Sequence, residues 1–330
     1  MKIAILGAGA WGTALAIGFS SRHRVTLWVR DPSHYRDMAS TGINRRHLDG
    51  IRLPKGIHVS NDFDEAVSGV DLAMIAVPMS GMRQVFRMIV ASGSRVPVIW
   101  VSKGFESGTA KFPHQVALEE YDEIAPVGAL SGPSFAMEVA HGLPAALTLA
   151  SNDPVFASKT AAALHSQRIR IYSSTDLIGV EVGGAVKNVM AIAAGISDGL
   201  ELGLNARAAL ITRGLAEITR LGLKLGGKME TFLGLSGVGD LTLTCTGDLS
   251  RNRRVGIELA GGKPLEAILA ELGSTAEGVY TAREVCDLAK SQEVEMPIAQ
   301  AVCSVLYEGV PARDAVEELM KRDSKAENAR

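Results

Sequence analysis

Lys187 is the residue whose setting most suggests chemistry. It lies in Val182-Gly183-Gly184-Ala185-Val186-Lys187-Asn188-Val189-Met190-Ala191, where almost every neighbour is apolar or small. An ammonium on such a helix loses hydration unless it finds a partner, and burial lowers a lysine's pKa. That suits donation of a proton to a carbonyl near neutral pH. The bland alternative is a lysine whose stem follows apolar surface while its head reaches water. Gly183 and Gly184 precede it by about one helical turn and leave room for a ligand or another helix to approach. Further along, Gly237-Val238-Gly239-Asp240-Leu241-Thr242-Leu243-Thr244 places an acid in a glycine-rich turn, where Asp240 would position a cationic acid or base. Ser250, Arg251 and Asn252 then offer hydroxyl, guanidinium and amide groups side by side, a set suited to a phosphate. Arg253 and Arg254 read as the solvated start of the next helix.

The first half carries different chemistry. Gly7-Ala8-Gly9-Ala10-Trp11-Gly12 follows an apolar strand-like run and opens a helical stretch. In that context the spacing predicts a dinucleotide site. Gly7 permits the tight turn, Gly9 lets the backbone approach a pyrophosphate, and Gly12 allows close helix–strand packing. The helix N-terminus adds free N–H groups and partial positive charge. At the end of the second strand, in Trp28-Val29-Arg30-Asp31, an acidic residue would bind the ribose hydroxyls of NAD(H). Arg30 stands at the expected position and suits the 2′-phosphate of NADP(H), whereas Asp31 would serve NAD(H) if the register differs by one. Ser102-Lys103-Gly104 and Ser131-Gly132-Pro133-Ser134-Phe135-Ala136 each follow a predicted strand, on the carboxyl side where such folds bind ligands. Two loops facing one crevice make a substrate pocket credible.

The elements that must position these groups change character along the chain. Ile3–Leu6, Val25–Val29, Leu72–Val77, Val98–Val101 and Val127–Ala129 are short apolar runs bounded by Gly, Pro, Asp or Ser. Runs apolar throughout suit strands covered on both faces, so they predict a parallel doubly wound sheet, with a helix from about Trp11 to Ser20. From about Leu177 the periodicity is helical. Val180–Ala194 reads as a helix buried on most sides, Pro264 opens another, and Ala282–Lys290 and Ala312–Lys321 look amphipathic. This places a dinucleotide-binding domain at 1–178 and a helical substrate-binding domain at 179–330, with a polar, frayed tail after Arg322.

At 330 residues the chain is long enough for two domains. Hydrophobic residues form 47% and charged residues 21%, as in ordinary globular proteins, and the formal net charge of -2 argues against nucleic acid or an anionic membrane as partner. An anionic ligand must therefore be held by a local cluster of cations. Cys245, Cys286 and Cys303 are odd in number and form no CxxC pair, which excludes a complete disulfide framework and fits small buried residues in a reducing cytoplasm. The seven histidines show no metal-ligand spacing, so no metal is expected. The apolar stretch after Lys2 reads as strand, turn and helix rather than a signal peptide, because three glycines interrupt it in a patterned loop. No uncharged apolar segment elsewhere reaches the roughly 20 residues of a membrane span, so stable membrane insertion is not expected.

Together these residues resemble a family. GAGAWGTALA, VSKGFE, LSGPSFAMEV, VKNVMAIAAGISDGL, GLSGVGDLTLTCTGDLSRNRRVG and AEGVYTA are similar, along nearly the full length, to bacterial NAD(P)-dependent glycerol-3-phosphate dehydrogenases. The resemblance implies an α/β fold, with an N-terminal Rossmann-type doubly wound parallel sheet followed by an all-helical C-terminal domain, often in a homodimer. It implies cytoplasmic reduction of dihydroxyacetone phosphate, a small-molecule phosphate substrate, to sn-glycerol 3-phosphate for phospholipid synthesis. Residue by residue, it puts the proton donor on Lys187 and substrate contacts on Lys103, Gly132, Ser134, Asp240, Ser250, Arg251 and Asn252. Asn188 and Thr244 match further polar positions near the substrate. Cofactor contacts fall on Trp11, Arg30, Lys103, Ala136, Arg251 and Glu277, beside the loop glycines. Ala10 is often serine in relatives, so a side-chain contact is lost there while its backbone N–H remains.

The implied mechanism is hydride transfer from reduced nicotinamide, NADP(H) preferred and NAD(H) possible, with Lys187 protonating the developing alkoxide. Asp240 would position Lys187, Lys103 would add positive potential beside the carbonyl, and Arg251 and Asn252 would grip the phosphate. Two rivals differ at named residues. A lysine-dependent hydroxy-acid dehydrogenase would leave Ser250-Arg251-Asn252 incidental. A non-catalytic NADP(H) sensor would need no buried Lys187.

Overall fold

The structure is a computed structural model that describes residues 1–121, 124–272 and 276–322. The polar tail expected after Arg322 lies outside the described residues. Two compact units share the chain: Met1–Gly184 with Leu225–Asp240, and Ala185–Lys224 with the chain from Leu241 onwards.

The first unit is built on β1 (Lys2–Leu6), β2 (Arg24–Trp28), the small hairpin β3 (Ile43–Asn44) and β4 (Leu48–Arg52), β5 (Ile57–Ser60), β6 (Leu72–Ile75), β7 (Val98–Trp100), β8 (Val127–Ser131), β9 (Ala145–Ala150) and β10 (Ile169–Ser174). All but the hairpin form one sheet in the order β10-β9-β8-β7-β6-β1-β2-β5. Its helices are α1 (Ala10–Ser20), α2 (Pro32–Thr41), α3 (Phe63–Val67), α4 (Met79–Ala91), α5 (Pro113–Tyr121), α6 (Ala136–Ala140) and α7 (Pro154–Leu164). The uniformly apolar strands are explained by two cores. Ile3 and Ile5 of β1 and Leu72 and Met74 of β6 enter one, with Leu15 and Phe19 of α1. Their alternates Ala4, Leu6, Ala73 and Ile75 enter the other, with Phe86 and Trp100. Period-two alternation between two covered faces is what a doubly wound sheet requires.

The sheet departs from the parallel expectation at one junction. β9 pairs antiparallel with β8, Ser131 opposite Thr148 and Ala129 opposite Ala150, and β10 then pairs parallel with β9. The link from β8 to β9 carries only the five-residue α6 and turns back at Gly142, whose φ is 73°. A full crossover helix would be needed to keep the strand parallel. The strand run Ala145–Ala150 gave no clear signal, because ALTLA reads equally as helix or strand.

Helix α8 (Leu177–Gly199) passes from the first unit into the second. It is long and apolar enough to cross a membrane by length and composition, but nearly all of its most apolar stretch is buried within the protein. The second unit continues with α9 (Gly203–Lys224). The short α10 (Met229–Phe232) and a π-helical turn at Leu235–Gly239 belong to the first unit. Then come α11 (Asp240–Thr246), α12 (Arg251–Ala260), α13 (Leu265–Leu272), α14 (Glu277–Ser291), α15 (Pro297–Tyr307) and α16 (Ala312–Met320). The return of Leu225–Asp240 to the first unit differs from a single cut after residue 178. Its physical basis is Asp176, whose buried carboxylate accepts from Gly179 N–H at 2.9 Å, Lys228 N–H at 2.8 Å and the Thr231 hydroxyl at 2.5 Å.

Candidate active site

The glycine loop lies where the sheet order reverses direction. β1 leads outward through β2 to β5, and the chain then returns to β6 on the other side of β1. Gly7 ends β1 by donating to Trp28 O at 3.2 Å, and Ala76, just past β6, donates to Leu6 O at 2.9 Å. This is the switch point at which open α/β sheets take ligands. Gly7 has φ of 128°, and a Cβ there would stand 2.7 Å from Ala76 O. A Cβ on Gly12 would stand 2.0 Å from Gly7 O, so this glycine is required by packing. Gly9 is the opposite case. It is the N-cap of α1, no side chain caps that helix end, and a Cβ there would meet nothing within 4 Å. The protein keeps open space over an uncapped helix N-terminus, which fits a pyrophosphate. Ala10 and Trp11 form the first turn of α1.

Asn44, which sequence reasoning passed over, supports this loop. Its amide is fully buried and donates to Ala8 O at 2.9 Å and to Thr13 Oγ1 at 2.7 Å, while its oxygen meets His34 Nε2 at 2.8 Å. A lone asparagine between Ile43 and Arg45 gives no motif, so only the fold reveals the role. At the end of β2, Arg30 is exposed. Asp31 instead caps α2, accepting from Ser33 N–H at 2.8 Å and His34 N–H at 2.9 Å. Its hydrogen bonds to Ser33 and His34 hold the carboxyl well below the usual range, and Arg46 stands 3.5 Å away.

The loops after β7 and β8 supply a cation and polar groups. Lys103 follows β7 and donates to Asp240 Oδ2 at 2.7 Å, with the Asp240 side chain almost wholly buried. Asp240 reaches that position through the π-helical turn, in which a Cβ on Gly237 would stand 2.0 Å from Phe232 O. Such turns recur at functional sites because the extra residue re-aims the next side chain. Gly132 has φ of 142°, Ser134 Oγ donates to Gly132 O at 3.0 Å, and Ala136 opens α6. The space left by Gly183 and Gly184 is taken by protein. A Cβ on Gly183 would meet Ser236 O at 2.4 Å, and one on Gly184 would meet Ser131 Oγ at 3.2 Å and the Lys103 stem at 3.6 Å. Beside them lies a small cavity lined by Ser102, Lys103, Ser131, Glu181 and Gly184. Glu181 is a second residue that sequence reasoning missed. It accepts from His114 N–H at 2.9 Å and pairs with His114 Nδ1. Burial pushes its carboxyl up, against the opposing pull of His114. A larger open groove, lined by Ser173, Thr175, Asp176, Lys228 and Thr231, carries none of the candidate residues.

The second unit gathers the others. Lys187 is only 7% exposed and donates to Thr244 Oγ1 at 2.9 Å, so its head is held inside rather than snorkelling to water. Close helix packing sets the next pair. A Cβ on Gly195 of α8 would stand 2.0 Å from Arg253 O, and one on Gly256 of α12 would stand 2.0 Å from Ile192 O. The two helices approach at backbone contact, and Asn252 Nδ2 thereby donates to Asn188 Oδ1 at 3.0 Å. Asn252 Oδ1 accepts from Gly278 N–H at 3.0 Å, next to Glu277 at the start of α14. Ser250 is the N-cap of α12 and accepts from Arg253 N–H at 3.3 Å, and Arg251 is exposed at the first turn. Arg253 is bound to Asp198 at 2.7 Å and Asp248 at 2.9 Å, and Arg254 is exposed.

Comparison with known proteins agrees with this layout. Residues 2–157 match the pattern described as the NAD-dependent glycerol-3-phosphate dehydrogenase N-terminus, and residues 176–317 match its C-terminus. The chain belongs to that family. It is 62% identical over 331 residues to a glycerol-3-phosphate dehydrogenase [NAD(P)+] of Nitrosospira multiformis, covering 99% of each chain. A protein of the same name from Dechloromonas aromatica is 58% identical over 329 residues, with 100% of each covered. The crystal structure of glycerol-3-phosphate dehydrogenase from Coxiella burnetii superposes with a TM-score of 0.93 at 42% identity, covering 97% of this chain and 99% of that one. A D-mandelate dehydrogenase solved with NADH has a TM-score of 0.62 at 14% identity and shares the fold alone. The chain is thus a nicotinamide-dependent oxidoreductase of the glycerol-3-phosphate dehydrogenase family, acting on a small phosphate ester.

Proposed function

We propose that this chain reduces dihydroxyacetone phosphate to sn-glycerol 3-phosphate, with NADPH preferred over NADH and Lys187 as the proton donor. The observation that carries the mechanism is the burial of Lys187 with its ammonium fixed on Thr244 Oγ1 at 2.9 Å. A lysine so held is oriented, and it can deliver a proton to an alkoxide without rearranging. Reduced nicotinamide supplies the hydride when bound, and Gly7, Gly9, Gly12 and the first turn of α1 would hold its pyrophosphate. Lys103, paired with Asp240, adds positive charge where negative charge develops on the substrate. The Asn188–Asn252 pair is an oriented amide set, and Arg251, exposed at the start of α12, is the cation suited to the phosphate. Gripping the phosphate orients the carbonyl, so binding energy remote from the reaction contributes to rate.

The NADPH preference rests on Arg30, exposed after β2, and on Asp31 being engaged as the cap of α2 rather than presented to a ribose. A homodimer working in phospholipid synthesis in the cytoplasm is the setting this reading adopts. The deciding experiment follows loss of reduced-nicotinamide absorbance on adding dihydroxyacetone phosphate, with NADPH and NADH in parallel. Turnover with both, and a higher kcat/KM for NADPH, is expected. No turnover with either cofactor would overturn the function, and a higher kcat/KM for NADH would overturn the preference alone.

A further inference from the structure

Three residues past Lys103, the loop after β7 is anchored by an arginine that lies outside every motif. Arg83 stands on α4, in the same unit. Its Nε donates to Glu106 Oε1 and its Nη2 to Glu106 Oε2, each at 2.7 Å, so the guanidinium grips that carboxylate at two points. Nη1 donates to Glu120 Oε1 at 2.6 Å, and Glu119 Oε2 lies 2.7 Å from Nη2. Glu119 and Glu120 form part of the last turn of α5, and Arg87, one turn along α4, also donates to Glu120 at 2.8 and 2.9 Å. The Arg83 side chain is 20% exposed and that of Glu106 14%, so the pair is largely withdrawn from water rather than screened at the surface. Hydrogen bonds from Arg83 hold the Glu106 carboxyl down, at about 2, and it stays charged at neutral pH.

The segment so held belongs to no helix and to no strand of the sheet. Gly104, Gly108 and Ala110 have φ of 98°, 81° and 53°, and alanine takes such a backbone only where its surroundings impose it. Glu106 is where the loop closes on itself. Its N–H donates to Lys111 O at 2.9 Å, its carbonyl accepts from Ala110 N–H at 2.9 Å, and its carboxylate accepts from Thr109 Oγ1 at 2.7 Å. At the other end, the Ser102 hydroxyl donates to Val77 O, just past β6, at 2.6 Å. Lys103 therefore lies between two anchors, Ser102 on the end of β6 and Glu106 on α4. Its stem runs beside Gly184, and its Nζ reaches Asp240 Oδ2 at 2.7 Å.

We propose, on the role given to Lys103 above, that Arg83 is a positioning residue for the reaction: through Glu106 it fixes the loop that carries Lys103, and so sets where the Lys103 ammonium stands. Lysine cannot replace it, because an ammonium lacks the flat two-armed donor set. Arg83→Lys thus keeps the charge and loses the two-point grip, whereas Glu106→Gln keeps the shape and loses the charge.

The test is a double-mutant cycle on turnover of dihydroxyacetone phosphate with NADPH, with thermal melts alongside. Arg83→Lys should lower kcat/KM about 10- to 100-fold, the scale of a small displacement of a group that meets the transition state. Glu106→Gln should act in the same direction, and it carries the test if Arg83→Lys does not fold. In a Lys103→Ala background either substitution should change kcat/KM by less than about twofold, because the group it positions is gone. A merely structural arginine would instead give losses that multiply. That outcome, or normal kcat/KM in both single variants, would overturn the proposal and leave the role of Lys103 standing; normal turnover in Lys103→Ala would overturn both. Limited trypsin digestion reads the loop without reference to activity. Arg83→Lys and Glu106→Gln should open cleavage after Lys103 and Lys111 that the wild type resists, and equal resistance in all three would also overturn the proposal.

Discussion

Gly9→Ala tests whether this glycine is kept for a ligand rather than for the fold. Gly9 has φ of -71° and ψ of -180°, extended backbone that alanine adopts without strain, and its Cβ would meet no atom within 4 Å. Alanine is a poorer N-cap than glycine by a few tenths to about 1 kcal/mol, and it loses less entropy on folding by a similar amount, about 0.4–1 kcal/mol. The two roughly cancel, so the melting temperature should stay within about 2 °C of wild type. A pyrophosphate lying over the α1 N-terminus, however, would be pushed off by the methyl group. Losing one charge-assisted hydrogen bond at about 1.5–3 kcal/mol weakens binding roughly 10- to 150-fold. Gly12→Ala is the counterpart. Its Cβ would fall 2.0 Å from Gly7 O and 3.0 Å from Ala76 Cβ, which forces backbone to move and should cost about 1–3 kcal/mol or more in stability. Fluorescence titration with NADPH and thermal melts read the two effects independently. Unchanged NADPH affinity in Gly9→Ala would refute the pyrophosphate site at this loop. A melt lowered as far as that of Gly12→Ala would refute the open space.

Three other outcomes follow from the same geometry. Lys187→Ala should reduce kcat by about 10²- to 10⁴-fold with little change in NADPH affinity, as expected on losing a general acid; normal turnover would make it a structural lysine. Arg30→Asp should weaken NADPH about tenfold or more while sparing NADH, and an unchanged ratio of the two affinities would move the 2′-phosphate contact elsewhere. Glu217 is buried in the second unit and accepts from Ile298 N–H at 2.8 Å and Ala299 N–H at 3.2 Å at the start of α15, and burial pushes its carboxyl up to about 7. The folded state then binds this proton more tightly than the unfolded chain, so the contribution is complete below about 4.5 and is lost as pH rises through 7. Wild type should lose about 3 kcal/mol relative to Glu217→Gln between pH 5 and pH 8, measured by denaturant unfolding, and a gap independent of pH would refute this.

What could be read from the residue string depended on whether the signal was local. β1, α1 and β2 were legible because Ile3–Leu6, the glycines and Val25–Leu27 fix turn, helix start and strand within one short stretch. The strands β9 and β10 were not. Ala145–Ala150 is alanine-rich and shows no clear period, and Ile169–Ser174 alternates over only four residues, Ile169 and Ile171 buried and Arg170 and Tyr172 exposed, before two serines. The antiparallel turn at β8–β9 comes from the length of a connection, and no propensity encodes it. The reassignment of Leu225–Asp240 to the first unit depends on one buried carboxylate, Asp176, gathering Lys228 and Thr231 from about fifty residues away.

The candidate site divides along the same line. Lys187 stood out because a charge in an apolar helix contradicts its surroundings, and local inconsistency of that kind marks functional positions. Asn44 and Glu181 do comparable positioning work and stayed silent. A buried asparagine on a two-residue strand and a glutamate two residues before a pair of glycines are unremarkable as letters. Their importance arises only when folding removes water from around them and leaves the Ala8 carbonyl, the Thr13 hydroxyl and the His114 amide to be satisfied. Neighbours in Ser250-Arg251-Asn252 differ in the same way. Ser250 is occupied in capping α12, and Asn252 holds Asn188 and Gly278, so both are fixed before any ligand arrives. Arg251 is exposed and is the cation of the set. If phosphate binding draws on pre-organised amides more than on charge, Asn252→Ala should damage kcat/KM more than Arg251→Lys, because it also removes the hydrogen bonds to Asn188 Oδ1 and from the Gly278 N–H.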